Sequence, residues 1–174
     1  MSNTNTPTPI ETEVKYLIRM PDVNILLAQE SVTAKNIVQT YLLSSNNSTR
    51  RVRKVTKDGK TTFIFTEKTR ISSLSAFEDE RAITKEEYHK LLLESDPDRT
   101  PIEKTRYVFP FDGHTIEIDV YPFWCDRAIL EIELASEEEK YSLPSFISVI
   151  KNVSEDSRYK NARLAKSIVL ENID

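Results

Sequence analysis

Charged residues recur in this 174-residue chain as doublets spaced by two. Acidic doublets fall at Glu11 and Glu13, Glu78 and Glu80, Glu117 and Asp119, and Glu131 and Glu133. Basic doublets fall at Arg51 and Arg53 and at Lys104 and Arg106, with Lys15 and Lys68 as further members. The residue between is often apolar, as at Val52, Ile118 and Ile132. Successive strand residues point to opposite faces, so each segment has one apolar face and one face bearing like charges about 7 Å apart. Such a pair repels by roughly 2 kcal/mol at an effective dielectric of about 20. Half-exposed strands ordinarily mix their charges, because opposite-sign neighbours stabilise and like ones do not. The repetition therefore points to a site. Acidic doublets facing a common centre suit a hard divalent cation with oxygen ligands, and basic doublets suit an oligo-anion such as a phosphate chain. A metal-triphosphate complex meets both demands.

The elements that must present these doublets are mostly strands. Strand-like segments fall near 10–18, 36–43, 49–56, 61–68, 76–83, 102–109, 114–121 and 127–135. The two glycines, Gly59 and Gly113, each follow an aspartate between such segments and mark hairpin turns. Pro21 and Asp22 open a short helix through Leu26–Glu30, and Thr84 with Glu87 forms a capping-box pattern ahead of a stripe of Tyr88, Leu91 and Leu92. An acidic turn capped by Ser136, with the EEEK run at 137–140 as a solvated helix start, a helix after Pro144 and a C-terminal helix over NARLAKSIVL complete the expectation. About eight strands joined largely by hairpins predict a mainly β (α+β) fold built on an antiparallel sheet, curled or closed. Residues 1–9 are expected as a disordered tail and 10–174 as a single domain.

Composition narrows the function classes. A net charge of -4 with 30% charged residues fits neither a nucleic-acid-coating protein nor an acidic disordered chain. Cys125 is the only cysteine, so an internal disulfide and a cysteine-rich zinc site are excluded, and a reducing compartment is expected. There is no apolar signal core and no run long enough to span a membrane, so the expectation is a cytoplasmic, soluble protein without nucleic-acid or membrane partners. With two glycines in all, no glycine-rich loop can cradle phosphate, and side chains must do so. His89 and His114 lie apart from any nucleophile and are read as structural or surface residues, Cys125 as a small packed residue, and Trp124 as packing beneath a loop.

In their order along the chain these motifs resemble the CYTH superfamily, the triphosphate tunnel metalloenzymes. The resemblance rests on Glu11, Glu13 and Lys15; Gln39 to Leu42; Arg51 and Arg53; Thr66 and Lys68; Glu78 and Glu80; Lys104, Arg106 and Tyr107; EIDVY at 117–121; EIEL at 131–134; and RYKNARLA at 158–165, which is closest to the short tripolyphosphatase branch. Two departures stand out: Ser75, Ala76 and Phe77 occupy the place where the family often has a basic residue before the middle acidic pair, and Glu67 adds a charge beside Lys68. The resemblance implies an eight-stranded antiparallel closed barrel with a few flanking helices and a C-terminal helix at one tunnel mouth. It implies metal-dependent hydrolysis of a small-molecule triphosphate, inorganic tripolyphosphate first, to pyrophosphate and phosphate. Lys15, Arg51, Arg53, Lys68, Lys104 and Arg106 would bind substrate. Glu11, Glu13, Asp119, Glu131 and Glu133 would hold Mg2+ or Mn2+, and Glu78, Glu80 and Glu117 would line the tunnel. Glu13, Glu133 and Lys15 are the expected catalytic group. Thiamine triphosphatase, class IV-type adenylyl cyclase and a polyphosphate-binding module are the alternatives, and the protein is expected as a monomer or homodimer.

Overall fold

A computed structural model describes residues 10–174, so the expected N-terminal tail lies outside the described residues. Nine strands form one sheet: β1 (Ile10–Arg19), β2 (Thr33–Leu42), β3 (Ser48–Lys57), β4 (Lys60–Arg70), β5 (Ser75–Ile83), β6 (Ile102–Phe111), β7 (His114–Val120), β8 (Arg127–Leu134) and β9 (Val149–Asn152). The strand order is β5-β4-β3-β2-β6-β7-β8-β1-β9, and an additional β1–β5 pairing closes the first eight into an antiparallel barrel. Closure rests on three residue pairs, Ile10 with Phe77, Glu11 with Ala76 and Thr12 with Ser75. The Thr12 and Ser75 hydroxyls also meet at 2.7 Å. Among the described residues no helix is long and apolar enough to cross a membrane.

Both Asp-Gly pairs make the turns their sequence demands. Asp58 and Gly59 have φ of 49° and 75°, Asp112 and Gly113 of 48° and 77°. Two consecutive positive φ values define the hairpin turn whose twist matches that of the strands it joins, here β3–β4 and β6–β7.

Alternation along the strands divides the core. On the face opposite the charged doublets, Val14, Tyr107, Phe109, Ile116, Ile118, Leu130, Ile132 and Leu134 form the largest cluster. Leu42, Val52, Phe65 and Tyr88 form another beneath α2 (Lys85–Leu91), whose N-cap Thr84 accepts from the Glu87 amide at 3.1 Å. The third cluster lies on the inner face. Leu17, Tyr41, Ile102, Tyr121 and Ile129 share parity with the charged residues of their strands, and Trp124, Val153, Tyr159, Leu164 and Ala165 pack against them. The interior therefore changes from charged to apolar toward one end, where it is filled.

Several expected helices differ. The first, α1, spans Val23–Leu27 behind its N-cap Asp22 and stops short of Glu30. After Pro144 there is a turn, closed by the Ile147 amide on the Pro144 carbonyl at 3.0 Å, and then β9. The reason lies in β1: β5 covers its edge only at Ile10–Thr12, and β9 takes the same edge at Tyr16–Ile18. The EEEK run is a turn in which Glu137 accepts from Ser72 and Ser75 and Glu139 from the Ala135 amide. The C-terminal segment is helical only as α3 (Asn161–Leu164). Beyond it, side chains capture the backbone: Trp124 Nε1 donates to the Val169 carbonyl at 2.9 Å and Arg127 to that of Glu171 at 2.7 Å. Trp124 thus packs beneath this segment as expected, whereas Cys125 is exposed rather than packed.

Candidate active site

The barrel encloses a cavity of about 970 Å³. Twelve Lys and Arg residues and eight Asp and Glu residues line it, an excess of four positive charges inside a chain whose net charge is -4. Every residue expected at the site lines this cavity except Asp119. Val52 is buried under α2 and Arg50 turns outward to Glu94 at 2.9 Å, so Arg51 and Arg53 are the inward pair of their strand.

Three groups of charge follow from the strand register. The first is an acidic seam where Glu13 and Glu133 are direct cross-strand partners on β1 and β8. Burial, then the charges of Glu11 and Glu13, push the Glu133 carboxyl above its ordinary pKa. Burial also raises Glu11, against the pull of Lys68. Lys68 contacts Glu11 directly and reaches Glu78 at 3.5 Å and Glu13 at 3.7 Å.

The second group is the basic doublet of β3. Arg51 has a single carboxylate contact among the described residues, Glu78 at 3.7 Å, and Arg53 meets Glu80 and, at 3.3 Å, the Thr66 hydroxyl. The Nε atoms of both are buried and have no partner among the described residues. Burial and the neighbouring Arg51 pull Arg53 down to about 10. Two guanidiniums in this state fit a polydentate anion.

The third group is a buried network at the charged end of the filled core. Asp119, fully buried, receives Lys104 at 2.6 Å and Arg106 at 2.6 and 2.7 Å. Arg106 also contacts Glu117 and, at 2.7 Å, Glu131, and Lys15 reaches Glu131 at 2.6 Å. Burial raises the Asp119 pKa, but the two cations outweigh it and hold the carboxyl below its ordinary value. Lys104 shares its one anion with a stronger cation, so burial and Arg106 win there and depress it to about 8. Lys15 goes the other way: burial lowers it, yet Glu131 and Glu13 together hold it above its usual value.

Among the described residues no three carboxylates are gathered into a closed metal-ligand set. The donor chemistry nevertheless fits a hard cation along the acidic seam, where Glu11, Glu13 and Glu133 supply oxygens, repel one another and lean on Lys68. Asp119 does not fit that role, because its oxygens are consumed by Lys104 and Arg106 away from the cavity surface.

The cavity also contains cations that the doublets did not announce: Lys35, Arg70 and Arg99, and Lys160, Arg163 and Lys166 around α3. Lys35 and Arg70 continue the inner rows of β2 and β4 just outside the strand limits expected from sequence. Burial and the charges of Arg70 and Lys15 lower Lys160 to about 8.

An antiparallel barrel around a tunnel lined by both signs of charge is the architecture that the resemblance of the motifs implied. Solved structures bear this out. The inorganic triphosphatase NE1496 is 27% identical, with 91% of this chain and 95% of that one covered and a TM-score of 0.54. PH1819 from Pyrococcus horikoshii OT3 (19% identity, 74% and 80% covered, TM-score 0.58) shares the fold. So does HpAC1 from Hippeastrum (16%, 74% and 81%, 0.50), which is described as having a dominant triphosphatase activity. No protein-family model and no curated protein matches the chain. Its solved neighbours are CYTH-type triphosphatase and adenylate-cyclase-like proteins, in agreement with the motifs.

Proposed function

We propose that this chain is a divalent-metal-dependent triphosphatase that hydrolyses inorganic triphosphate to pyrophosphate and phosphate inside the tunnel. The observation that carries the reading is the Arg51–Arg53 doublet, two half-buried guanidiniums that line the cavity, each with a buried Nε that has no partner among the described residues, together with a seam of opposed carboxylates. An anion binder alone would gain nothing from Glu13 set against Glu133, and a metal binder alone nothing from Arg51 beside Arg53. The similarity to an inorganic triphosphatase supports the same substrate.

In this reading Arg51 and Arg53 grip the phosphate chain through forked contacts, and Lys68, Lys104 and Arg106 add charge along it. Lys15, kept protonated by Glu131 and Glu13, donates to a phosphoryl oxygen. Asp119 holds Lys104 and Arg106 in place instead of binding metal. Glu11, Glu13 and Glu133 would hold Mg2+ or Mn2+, which supplies Lewis acidity and neutralises substrate charge when bound, while Glu131, expected as a further ligand, has both oxygens engaged by Lys15 and Arg106 and positions them. Water attacks the terminal phosphorus, the bridging P–O bond breaks and pyrophosphate leaves. Glu78, Glu80 and Glu117 orient the cations through the contacts already described. One chain supplies this whole lining, so a monomer suffices and a homodimer is compatible; the lone cysteine accords with the cytoplasm.

One observation favours a second reading. Ile37, Val55 and Ile64 present apolar surface to the cavity, with Ile37 and Val55 as direct cross-strand partners, which suits an organic triphosphate such as a nucleotide or thiamine ester. The deciding experiment incubates the protein with triphosphate, ATP and thiamine triphosphate in Mg2+, Mn2+ or EDTA, and measures phosphate, pyrophosphate and cyclic nucleotide. Phosphate release from triphosphate with either ion and none in EDTA is expected. Failure of both ions to support that release rejects the proposal.

A further inference from the structure

Arg70 follows Thr66 and Lys68 on the inner face of β4, about 7 Å beyond Lys68, and lines the tunnel. Its cross-strand partner on β5 is Ala76. Ala76 shares parity with Glu78 and Glu80, so a longer side chain there would also face inward, and Ala76 and Arg70 border one small recess with Lys68 and Lys160. The guanidinium of this strand pair is on β4 and stands across from an alanine on β5. Nη1 of Arg70 donates to the carbonyls of Ser72 at 3.1 Å and Ser73 at 3.0 Å, which anchors the head group at the rim. Nε and Nη2 have no protein partner among the described residues. Lys160 lines the same recess as Arg70, and burial followed by the charge of Arg70 lowers its pKa.

We propose that Arg70 and Lys160 form an end-phosphate subsite at the recess beyond Lys68, with the guanidinium supplied from the last residue of β4. The inference rests on the triphosphatase reading and extends it to the phosphoryl group farthest from Arg53. A bystander arginine that merely staples the 71–74 loop would matter to stability and leave substrate affinity alone.

The test compares wild type, Arg70→Ala, Arg70→Lys and Arg70→Ala/Ala76→Arg for steady-state hydrolysis of inorganic triphosphate and for the shift in Tm that triphosphate produces. Arg70→Ala is expected to raise KM about tenfold or more, the worth of a charge-assisted contact, with little change in kcat. Arg70→Lys should fall between, and the double variant should recover much of the loss, because its new guanidinium enters the space vacated across the strand pair. A wild type that neither hydrolyses nor binds triphosphate removes the proposed function, and this subsite with it. An active wild type with unchanged KM in Arg70→Ala, whatever its Tm, overturns the subsite alone. Should the double variant not fold, Arg70→Lys carries the decision: a KM no better than that of Arg70→Ala overturns the assignment.

Discussion

Asp119→Asn tests the division between residues that face the ligand and residues that hold them. The change keeps the side-chain volume and removes the only charge, leaving Lys104 and Arg106 on a fully buried neutral amide. Removing one partner of a buried ion pair costs about 3–5 kcal/mol, because the survivor stays desolvated. Two features hold the cost near the lower bound. Arg106 retains Glu117 and Glu131. Lys104, already depressed to about 8, can release its proton near neutrality once its anion is gone. A loss of about 3 kcal/mol in a domain of this size corresponds to a fall in Tm of roughly 6–12 °C. The assay is thermal and urea denaturation of the metal-free protein at pH 7. The sign with pH is also set: the folded carboxyl titrates below its unfolded value, so its stabilisation is present above about 4 and lost as pH falls through the lower folded value. The gap between wild type and variant should therefore close in acid. A metal-free Asp119→Asn protein as stable as wild type, whose activity returns on raising Mn2+, would refute the counter-ion role and restore Asp119 as a metal ligand.

Replacing both Arg51 and Arg53 by Ala should abolish most of the rise in Tm that triphosphate produces, since a ligand of the folded state stabilises by mass action; an undiminished rise would mean that the doublet does not hold the anion. Glu133→Gln should stop turnover at saturating Mg2+ while making the metal-free protein more stable at pH 7. The wild-type pKa is raised, so this carboxylate favours folding only below its unfolded pKa and opposes it once ionised; full activity in the variant argues against its catalytic role. Lys104 sits near 8, so affinity for triphosphate should weaken as pH rises from 7 to 9.5 more steeply in wild type than in Lys104→Arg, and parallel titrations of the two by calorimetry would contradict this.

Much of this was legible because strands have a period of two. Parity alone sorts Glu11, Glu13, Lys15, Arg51 and Arg53 to one face, and closure of the barrel turns that face inward. Parity says nothing of depth. Glu117 and Asp119 are one doublet on one face, yet register pairs Glu117 with Glu131 in the charged layer and Asp119 with Ile129 in the apolar one. The first lines the cavity and the second lies beneath it, so residues two apart acquire different work. Register depends on eight strands closing together and was not available from spacing. Arg70 was missed for a nearby reason, since it stands at the last residue of β4, two beyond the expected end of the strand. Lys160 lies between a 3₁₀ turn and a four-residue helix, Arg163 in that helix and Lys166 just past it, where no periodicity marks an inner face, and they reach the tunnel because Tyr159 and Leu164 pack into its filled end. The charged lining is thus assembled in two ways, by alternation around the wall and by hydrophobic anchoring at the mouth. Only the first leaves a periodic signature in the order of the residues.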